Sequence, residues 1–237
     1  GLAGTAHADT LIDDYYVFPF GPIPGFAAVS ATHLAPLASA SSSTGTILGG
    51  ERDIVAEVLQ AVAFQGDNAF AAATAKNGWF GGYNIPLMTF QVDQGANTRF
   101  TVVYDGIDGS PDLAQGLNFD AAALGSQLSL RYFGNYVLQN NDYAAVDIDI
   151  ELLDLAGQRA SVTRTMAVVN YGVVPTLYFS FADFEAANSQ FDLTRIGAIT
   201  LSTEILNQTT LSGTVNLVDF KVTGGAYVPT NVIAPPV

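Results

Sequence analysis

The most regular pattern of apolar and polar residues lies between positions 143 and 181. In residues 146–152, apolar side chains alternate with acidic ones at every second position. A period of two is typical of a β-strand with one face in the core and the other in water. Gly157 interrupts the pattern where a hairpin would turn, and β-branched residues dominate the return over 160–169. Residues 177–181 alternate again, so the pattern predicts a β-meander on which the rest of the chain packs.

Segments with similar patterns predict further strands on both sides of the meander. They are residues 10–18, 46–64, 68–74, 87–92, 98–104, 128–133, 197–203 and 213–223. Together with the meander they make roughly ten to twelve strands, and the only helical signal is one turn predicted at 182–188. We therefore predict an all-β fold, a jelly-roll-like sandwich of two sheets with a long irregular N-terminal segment.

Composition divides the chain into three parts, which we assign to a single domain over residues 1–237. Residues 1–45 hold a first strand and then a segment rich in proline, glycine, alanine and serine, which predicts an irregular extension. Residues 46–223 carry the strand patterns and form the sandwich body, with a glycine-rich turn predicted at 76–83. Prolines mark residues 224–237 as a tail outside any central strand.

The charge balance of the chain excludes some partners. Its 237 residues include 22 acidic and 8 basic side chains, which gives a formal net charge of −14. With no basic patch to release counterions from phosphates, we expect no nucleic-acid partner. Hydrophobic residues make up 49% of the chain, which is enough for a large core and excludes a wholly disordered protein. No uninterrupted apolar stretch reaches about 18 residues, so we expect no membrane span.

The first residues bear on localisation. Residues 2–8, followed by Asp9, are similar to the end of a secretory signal peptide with an Ala-x-Ala site. The alternative interpretation is that these are simply small residues. The chain has no cysteine, which excludes disulfides and thiolate metal sites. These features predict a secreted protein, either extracellular or attached to the cell surface.

No catalytic motif stands out, so we expect a protein that is not an enzyme and requires no cofactor. The histidines, His7 and His33, lie in the low-complexity N-terminal segment, where neither a Ser-His-Asp triad nor a His-based zinc site is expected. Pairs of carboxylates could support glycoside hydrolysis, although acids that alternate along a strand are typical of a solvated face. The candidate acids are Glu51, Asp53, Glu57, Asp147, Asp149 and Glu151.

Acids on one loop are candidates for binding calcium. Asp105, Asp108 and Asp112 lie on a glycine-rich loop, and calcium prefers carboxylates and loop carbonyls as ligands. Their spacing does not match an EF-hand, and turn-forming aspartates are the alternative interpretation. Arg52 stands between two acids in the sequence, and we predict a local ion-pair network there.

Aromatic residues in the glycine-rich segment are candidates for sugar binding. Trp79 and Tyr83 are flanked by glycines and could stack on sugar rings. A tryptophan packed in the core of a β-protein is the alternative interpretation.

Four segments of the chain resemble a known family. They are residues 11–15, 177–184, 191–199 and 215–220. With these segments the chain resembles jelly-roll domains related to carbohydrate-binding modules, which open on a strand with an Asp-Asp-Phe-like element and close on an Asp-bearing strand. The segments 49–54 and 105–112 resemble exported bacterial surface proteins of the same fold, many of which carry a C-terminal sorting signal. The resemblance implies a structural calcium ion held by Asp13 or Asp14 together with Asp219, with strand-end hydrogen bonding by these aspartates as the alternative.

Two functions of different classes are compatible with the sequence. We favour a non-enzymatic subunit of an extracellular filament or matrix, in which residues 1–12 add a strand to the sheet edge of the next copy. Leu2, Leu11 and Ile12 would then dock in apolar pockets of that copy and build a head-to-tail homopolymer. The alternative is a carbohydrate-binding surface module whose partner is a polysaccharide.

Overall fold

The computed structural model describes residues 9–15, 28–32, 34–43, 45–61, 70–80, 83–92, 96–110, 112–133, 146–166, 174–206 and 213–228. The strands are β1 Thr10–Asp13, β2 Ala28–Thr32, β3 Leu37–Ser42, β4 Arg52–Ala61, β5 Phe70–Phe80, β6 Tyr83–Val92, β7 Ala96–Tyr104, β8 Gln127–Phe133, β9 Val146–Asp154, β10 Arg159–Met166, β11 Thr176–Ser180, β12 Ile196–Leu206 and β13 Gly213–Thr223. The helices are α1 Ala121–Leu124 and α2 Phe181–Ala187. Within these residues, no helix is long and apolar enough to cross a membrane.

The strands form two antiparallel sheets, which confirms the predicted all-β sandwich. The seven-stranded sheet has the order β11-β8-β13-β6-β5-β2, and β1 also pairs with β13. The six-stranded sheet has the order β10-β9-β12-β7-β4-β3. Neighbours in sequence often belong to different sheets, so the chain crosses repeatedly between the two layers.

The core lies between the inward faces of the two sheets. Phe90 of β6 stacks on Phe100 of β7 with ring centroids 4.9 Å apart, which links the layers. Ile148, Ile150 and Leu152 of β9 are buried in the same cluster. The alternation over residues 146–152 therefore predicted the buried face of β9 correctly, since side chains at every second position share one face of a strand.

The predicted hairpin after β9 is confirmed. β9 and β10 pair in register throughout β10. The turn is held by Asp154, whose Oδ1 accepts the backbone N–H groups of Ala156 and Gln158, each at 2.8 Å. Gly157 has a φ of 82°, a conformation that glycine adopts without steric cost.

The predicted third leg of the meander is wrong. β11 pairs with β8 in the seven-stranded sheet, and β9 has β12 as its second neighbour. Alternation identifies a strand and its buried face, but it carries no information about the pairing partner. α2 follows β11 directly, as the sequence predicted, and Ser180 Oγ caps it by accepting the N–H of Ala182 at 3.2 Å.

Two other sequence predictions need correction. The segment predicted to be an irregular extension contains β2 and β3, which end the orders of the two sheets. The predicted turn over 76–83 is largely strand, because β5 continues to Phe80 and pairs with β6 up to Phe80 and Tyr83. Alanine, serine and glycine have low strand propensity, and pairing with a neighbouring strand overrides it in these places.

Candidate functional site

A polar groove crosses the outer face of the seven-stranded sheet. It has a volume of about 280 Å³ and is lined by Asp9, Gln127, Ser129, Arg131, Thr176, Tyr178, Asp219, Lys221, Thr223 and Gly224. We call it the Tyr178 groove. Most of its lining residues occupy alternate positions of β8, β11 and β13, whose other side chains face the core. The groove is therefore a consequence of ordinary strand alternation.

Strand register explains the shape of the Tyr178 groove. Tyr178 lies opposite Ser129 in the β11–β8 pair, and Ser129 lies opposite Lys221 in the β8–β13 pair. A short side chain thus stands between two long ones, and Ser129 at the bottom is only 4% exposed. Tyr178 forms one wall and is 53% exposed.

The opposite wall of the groove is an ion-pair network. Arg131 Nε donates to both carboxylate oxygens of Asp219, at 2.9 and 2.8 Å, and a second guanidinium nitrogen also contacts this carboxylate. Lys221 Nζ lies 3.3 Å from Asp219 Oδ2. The hydrogen bonds to Asp219 raise the pKa of Arg131, so the guanidinium stays charged. The network fixes several donors and acceptors beside an exposed aromatic ring.

The wall at Tyr178 is also held in place. Arg164 Nε donates to the carbonyl oxygen of Tyr178 at 3.1 Å, and the same guanidinium forms an ion pair with Asp183 at the start of α2. The backbone at Tyr178 is therefore tied both to β8 and to β10, which belongs to the other sheet. Its ring is presented to solvent from a rigid edge.

A cluster of acids lies at one end of the six-stranded sheet. Carboxylate oxygens of Glu51, Asp53 and Asp108 lie within 4.8 Å of one another. We call these residues the acidic cluster. Glu51 and Asp53 stand at the start of β4, and Asp108 lies on the loop after β7; β4 pairs with β7 next to this end. Strand pairing therefore assembles acids that are distant in sequence.

Backbone contacts hold the loop of the acidic cluster in place. The N–H of Gly109 donates to Glu51 Oε1 at 2.9 Å. Farther along, the N–H of Ala114 donates to Asp105 Oδ2 at 2.6 Å, and that of Gly116 donates to the Asp105 carbonyl at 2.7 Å. A Cβ on Gly116 would lie 2.3 Å from that carbonyl oxygen, so only glycine allows this approach.

Asp53 is the most constrained member of the acidic cluster. It is 0% exposed, and neither carboxylate oxygen has a hydrogen-bond partner. Burial raises the pKa of Asp53 to about 6. The negative charges of Asp105, Glu51 and Asp108 add to this rise, and the nearby side chain of Ser41 opposes it. Burial also raises the pKa of Asp105. The cluster thus concentrates negative charge.

The calcium site predicted for Asp13 or Asp14 together with Asp219 stays a prediction, and the structure gives these aspartates other partners. Asp13 is buried against the guanidinium of Arg52, which supplies its counter-charge. Asp14 Oδ1 accepts the N–H of Thr46 at 3.1 Å, and Asp219 belongs to the Tyr178 groove. Each aspartate has its own partner, and the group of possible metal ligands found among the described residues consists of other acids.

Other predicted sites are also rearranged. Of Asp105, Asp108 and Asp112, only Asp108 belongs to the acidic cluster. The predicted pairing of Arg52 with its acidic neighbours in sequence is wrong, because Arg52 points into the core while Asp53 points to the opposite face of β4.

Of the six acids considered for glycoside hydrolysis, Glu51 and Asp53 belong to the acidic cluster and the other four have ordinary partners. Glu57 pairs with Arg99, Glu151 with Arg159, Asp147 with Thr165 and Asp149 with Thr163. Each contact joins neighbouring strands on an outer face, which agrees with the solvated-face interpretation. His7 and His33 lie outside the described residues.

The predicted assembly and stacking residues have mixed outcomes. Leu11 and Ile12 belong to β1, which pairs with β13 of the same chain, and Ile12 is in the core. They therefore already have partners within their own chain. Leu2 lies outside the described residues, and assembly through these three residues stays a prediction. Trp79 and Tyr83 lie in the β5–β6 hairpin, but their side chains are outside the described part, so sugar stacking there remains a prediction.

The Tyr178 groove was not predicted from the sequence, although one signal was present. Tyr178 alternates with Leu177 and Phe179, so its outward direction could be inferred. The groove itself depends on the order β11-β8-β13, which no local pattern reveals.

No family model matches the sequence, and no curated protein matches it. Among solved structures, the chain is similar to the family 30 carbohydrate-binding module of a cellulosomal cellulase of Clostridium thermocellum, with 14% identity, 92% of this chain and 98% of that chain covered, and a TM-score of 0.44. It is also similar to a family 11 carbohydrate-binding module from Clostridium thermocellum in complex with a β-1,3-1,4-mixed-linked tetrasaccharide. The identity is 12%, the match covers 94% of this chain and 100% of that chain, and the TM-score is 0.39. An exo-β-agarase is similar at 13% identity over 65% of this chain and 22% of that enzyme, with a TM-score of 0.40. The similar structures thus include carbohydrate-binding modules, the class that the sequence resembles, and the fold assignment itself rests on the strand pairing.

Proposed function

We propose that this protein is a non-catalytic module that binds a neutral polysaccharide in the Tyr178 groove. The observation that carries the proposal is the exposed ring of Tyr178, which stands across a short serine from a fixed network of polar groups. The C–H faces of a sugar ring pack on an aromatic face, while its hydroxyls need hydrogen-bond partners at the same time. An aromatic wall facing a polar wall supplies both.

The charges of the groove favour a neutral ligand. Arg131 and Lys221 are balanced by Asp9 and Asp219 in the lining. The whole chain carries a formal charge of −14, which repels polyanions. Asp219 is already bound to Arg131 and Lys221, so in the proposed function it orients the donors of these two side chains.

This function also gives the expected location. Polysaccharides of cell walls and extracellular matrices lie outside the cell membrane, so we propose that the protein acts in the extracellular space or on the cell surface. A filament subunit is less well supported, because Leu11 and Ile12 of the presumed donor strand already pair and pack within their own chain.

We expect Tyr178→Ala to weaken binding to mixed-linkage β-1,3-1,4-glucan by about tenfold or more, which corresponds to about 1.4 kcal/mol. This glucan is the first probe because a fragment of it is bound by the family 11 module named above. Agarose, cellulose and xylan complete a panel of neutral polysaccharides for affinity electrophoresis. Tyr178→Phe keeps the ring face and is expected to retain most of the binding.

Leu37→Ala is the matched control, since Leu37 is 65% exposed on β3 of the other sheet. This variant should be retarded by the polysaccharides in affinity electrophoresis as strongly as the wild-type protein. Binding of the wild-type protein should also change little between low and high salt, because contacts to a neutral ligand are not screened. The proposal fails if no polysaccharide of the panel retards the wild-type protein, or if Leu37→Ala weakens binding as much as Tyr178→Ala.

A further inference from the structure

The side chain of Asp53 lacks a partner that its surroundings should provide. It is 0% exposed, and both carboxylate oxygens are buried without a hydrogen bond. Buried polar groups are almost always hydrogen-bonded, and a buried charge is costly unless it is paired or coordinates a metal. An uncompensated carboxylate at this depth therefore calls for a binding partner.

Its neighbours increase the need for a cation. Carboxylate oxygens of Glu51 and Asp108 lie within 4.8 Å of the Asp53 carboxylate. The adjacent Arg52 offers no charge to this face, because it pairs with Asp13 in the core. Among the described residues, the ion pairs formed by Arg and Lys side chains involve other acids. Within the described residues, three like charges thus converge without an ion pair to a positive side chain.

The positions of the three acids suit a bound ion. Asp53 belongs to β4, and Glu51, which directly precedes β4, is already oriented by the N–H of Gly109 at 2.9 Å. Asp108 is exposed and lies on the loop, which leaves one side of the cluster open for entry and for water ligands. Gly49 and Gly50, with φ of 78° and 88°, bring the preceding turn close to this loop without steric conflict.

We propose that Glu51, Asp53 and Asp108 bind a calcium ion, which joins the start of β4 to the loop after β7. All the protein ligands are carboxylates, which hard cations prefer. Calcium accepts six to eight oxygens in irregular arrangements, whereas magnesium demands nearly ideal octahedral geometry. A cluster drawn from a strand and a loop, with one open side, fits the less demanding ion.

The ion would act as a structural link. The loop already contacts Glu51, the residue before β4, through Gly109, and it contacts itself through Asp105 and Gly116. Calcium would neutralise the negative charge that opposes the contact between the loop and the start of β4. It would stabilise the folded state by an amount that grows with the logarithm of the calcium concentration above the Kd.

The test is isothermal titration calorimetry of the full chain, stripped with a chelator and titrated with calcium chloride. The wild-type protein should bind one calcium ion. Asp53→Asn and Asp108→Asn should each weaken binding by at least roughly 10–100-fold, the loss already seen when groups that only support a metal ligand are removed. Asp108 is exposed, so its variant tests the site even if Asp53→Asn impairs folding. Asp112→Asn, on the same loop but outside the acidic cluster, should bind as the wild-type protein does.

Thermal melting gives an independent readout. In chelator, Asp53→Asn should melt at the same temperature as the wild-type protein or higher, because it removes an unpaired buried charge. In millimolar calcium, the melting temperature should rise above its value in chelator only for the wild-type protein and Asp112→Asn. The proposal is overturned by an absence of calcium binding to the stripped wild-type protein, by an equal effect of magnesium chloride, by loss of binding in Asp112→Asn, or by calcium binding to Asp108→Asn that is as tight as binding to the wild-type protein.

Discussion

Arg52→Met is expected to lower the free energy of unfolding by about 3–5 kcal/mol, because it leaves the Asp13 carboxylate buried without its counter-ion. Both side chains are 0% exposed. The other contacts of Asp13 are neutral: the N–H of Tyr15 donates to Oδ1 at 2.7 Å, and Tyr104 Oη donates to Oδ2 at 3.0 Å. Neutral donors stabilise a buried carboxylate only in part, so removal of the guanidinium should be costly.

Urea unfolding of the single and double variants measures this effect. Arg52→Met combined with Asp13→Asn removes both charges, and we expect it to be more stable than Arg52→Met alone. Arg159→Met is the matched control, since the Arg159–Glu151 pair is solvent-exposed on an outer face and should be worth at most about 1 kcal/mol. Losses that simply add in the double variant would show that the two charges do not interact.

The same short sequence supplies both a buried ion pair and the acidic cluster. Residues on a strand alternate between its faces, so Arg52 points into the core and Asp53 points outward under the loop. Arg52 connects β4 to β1 through Asp13, which belongs to the other sheet. The start of β4 thus has two roles: its inward residue joins the sheets, and its outward residues converge with the loop after β7.

The fold was predictable where the apolar pattern has a clear period. The buried positions of β9 and the hairpin at Gly157 follow from the sequence alone. β2 and β3 were not predictable, because they consist largely of alanine, serine and threonine and owe their conformation to pairing with β5 and β4. The placement of β11 in the opposite sheet was also not predictable, since a strand pattern does not specify its partner.

At the sites, residue types were predictable and their groupings were not. Asp108 was predicted as a calcium ligand, but its neighbours Glu51 and Asp53 reach it through the β4–β7 pairing. Asp219 was assigned to a cation site, but Arg131 stands opposite it in the β8–β13 register and converts it into part of a groove. Long-range register decides these groupings, and a single sequence carries little information about register.

Ile150→Asp is expected to lower the free energy of unfolding by about 4 kcal/mol or more, because it places an unpaired charge in the core. Ile150 is 0% exposed and lies in the middle of β9, opposite Val162 on one side and Leu201 on the other. These neighbours are apolar and offer no hydrogen bond to a carboxylate. Ile150→Val removes only one methylene and should cost about 0.5–1.5 kcal/mol.

Asp149→Asn tests the opposite face of the same strand. Asp149 Oδ1 accepts a hydrogen bond from Thr163 Oγ1 at 2.9 Å on the exposed face, and the asparagine carbonyl can accept it as well. We therefore expect a change within about 0.5 kcal/mol, the range of ordinary surface substitutions. Chemical unfolding of the three variants under identical conditions gives the comparison. Comparable losses for Ile150→Asp and Asp149→Asn would contradict the assignment of the buried face, on which the direction of every side chain in β9 depends.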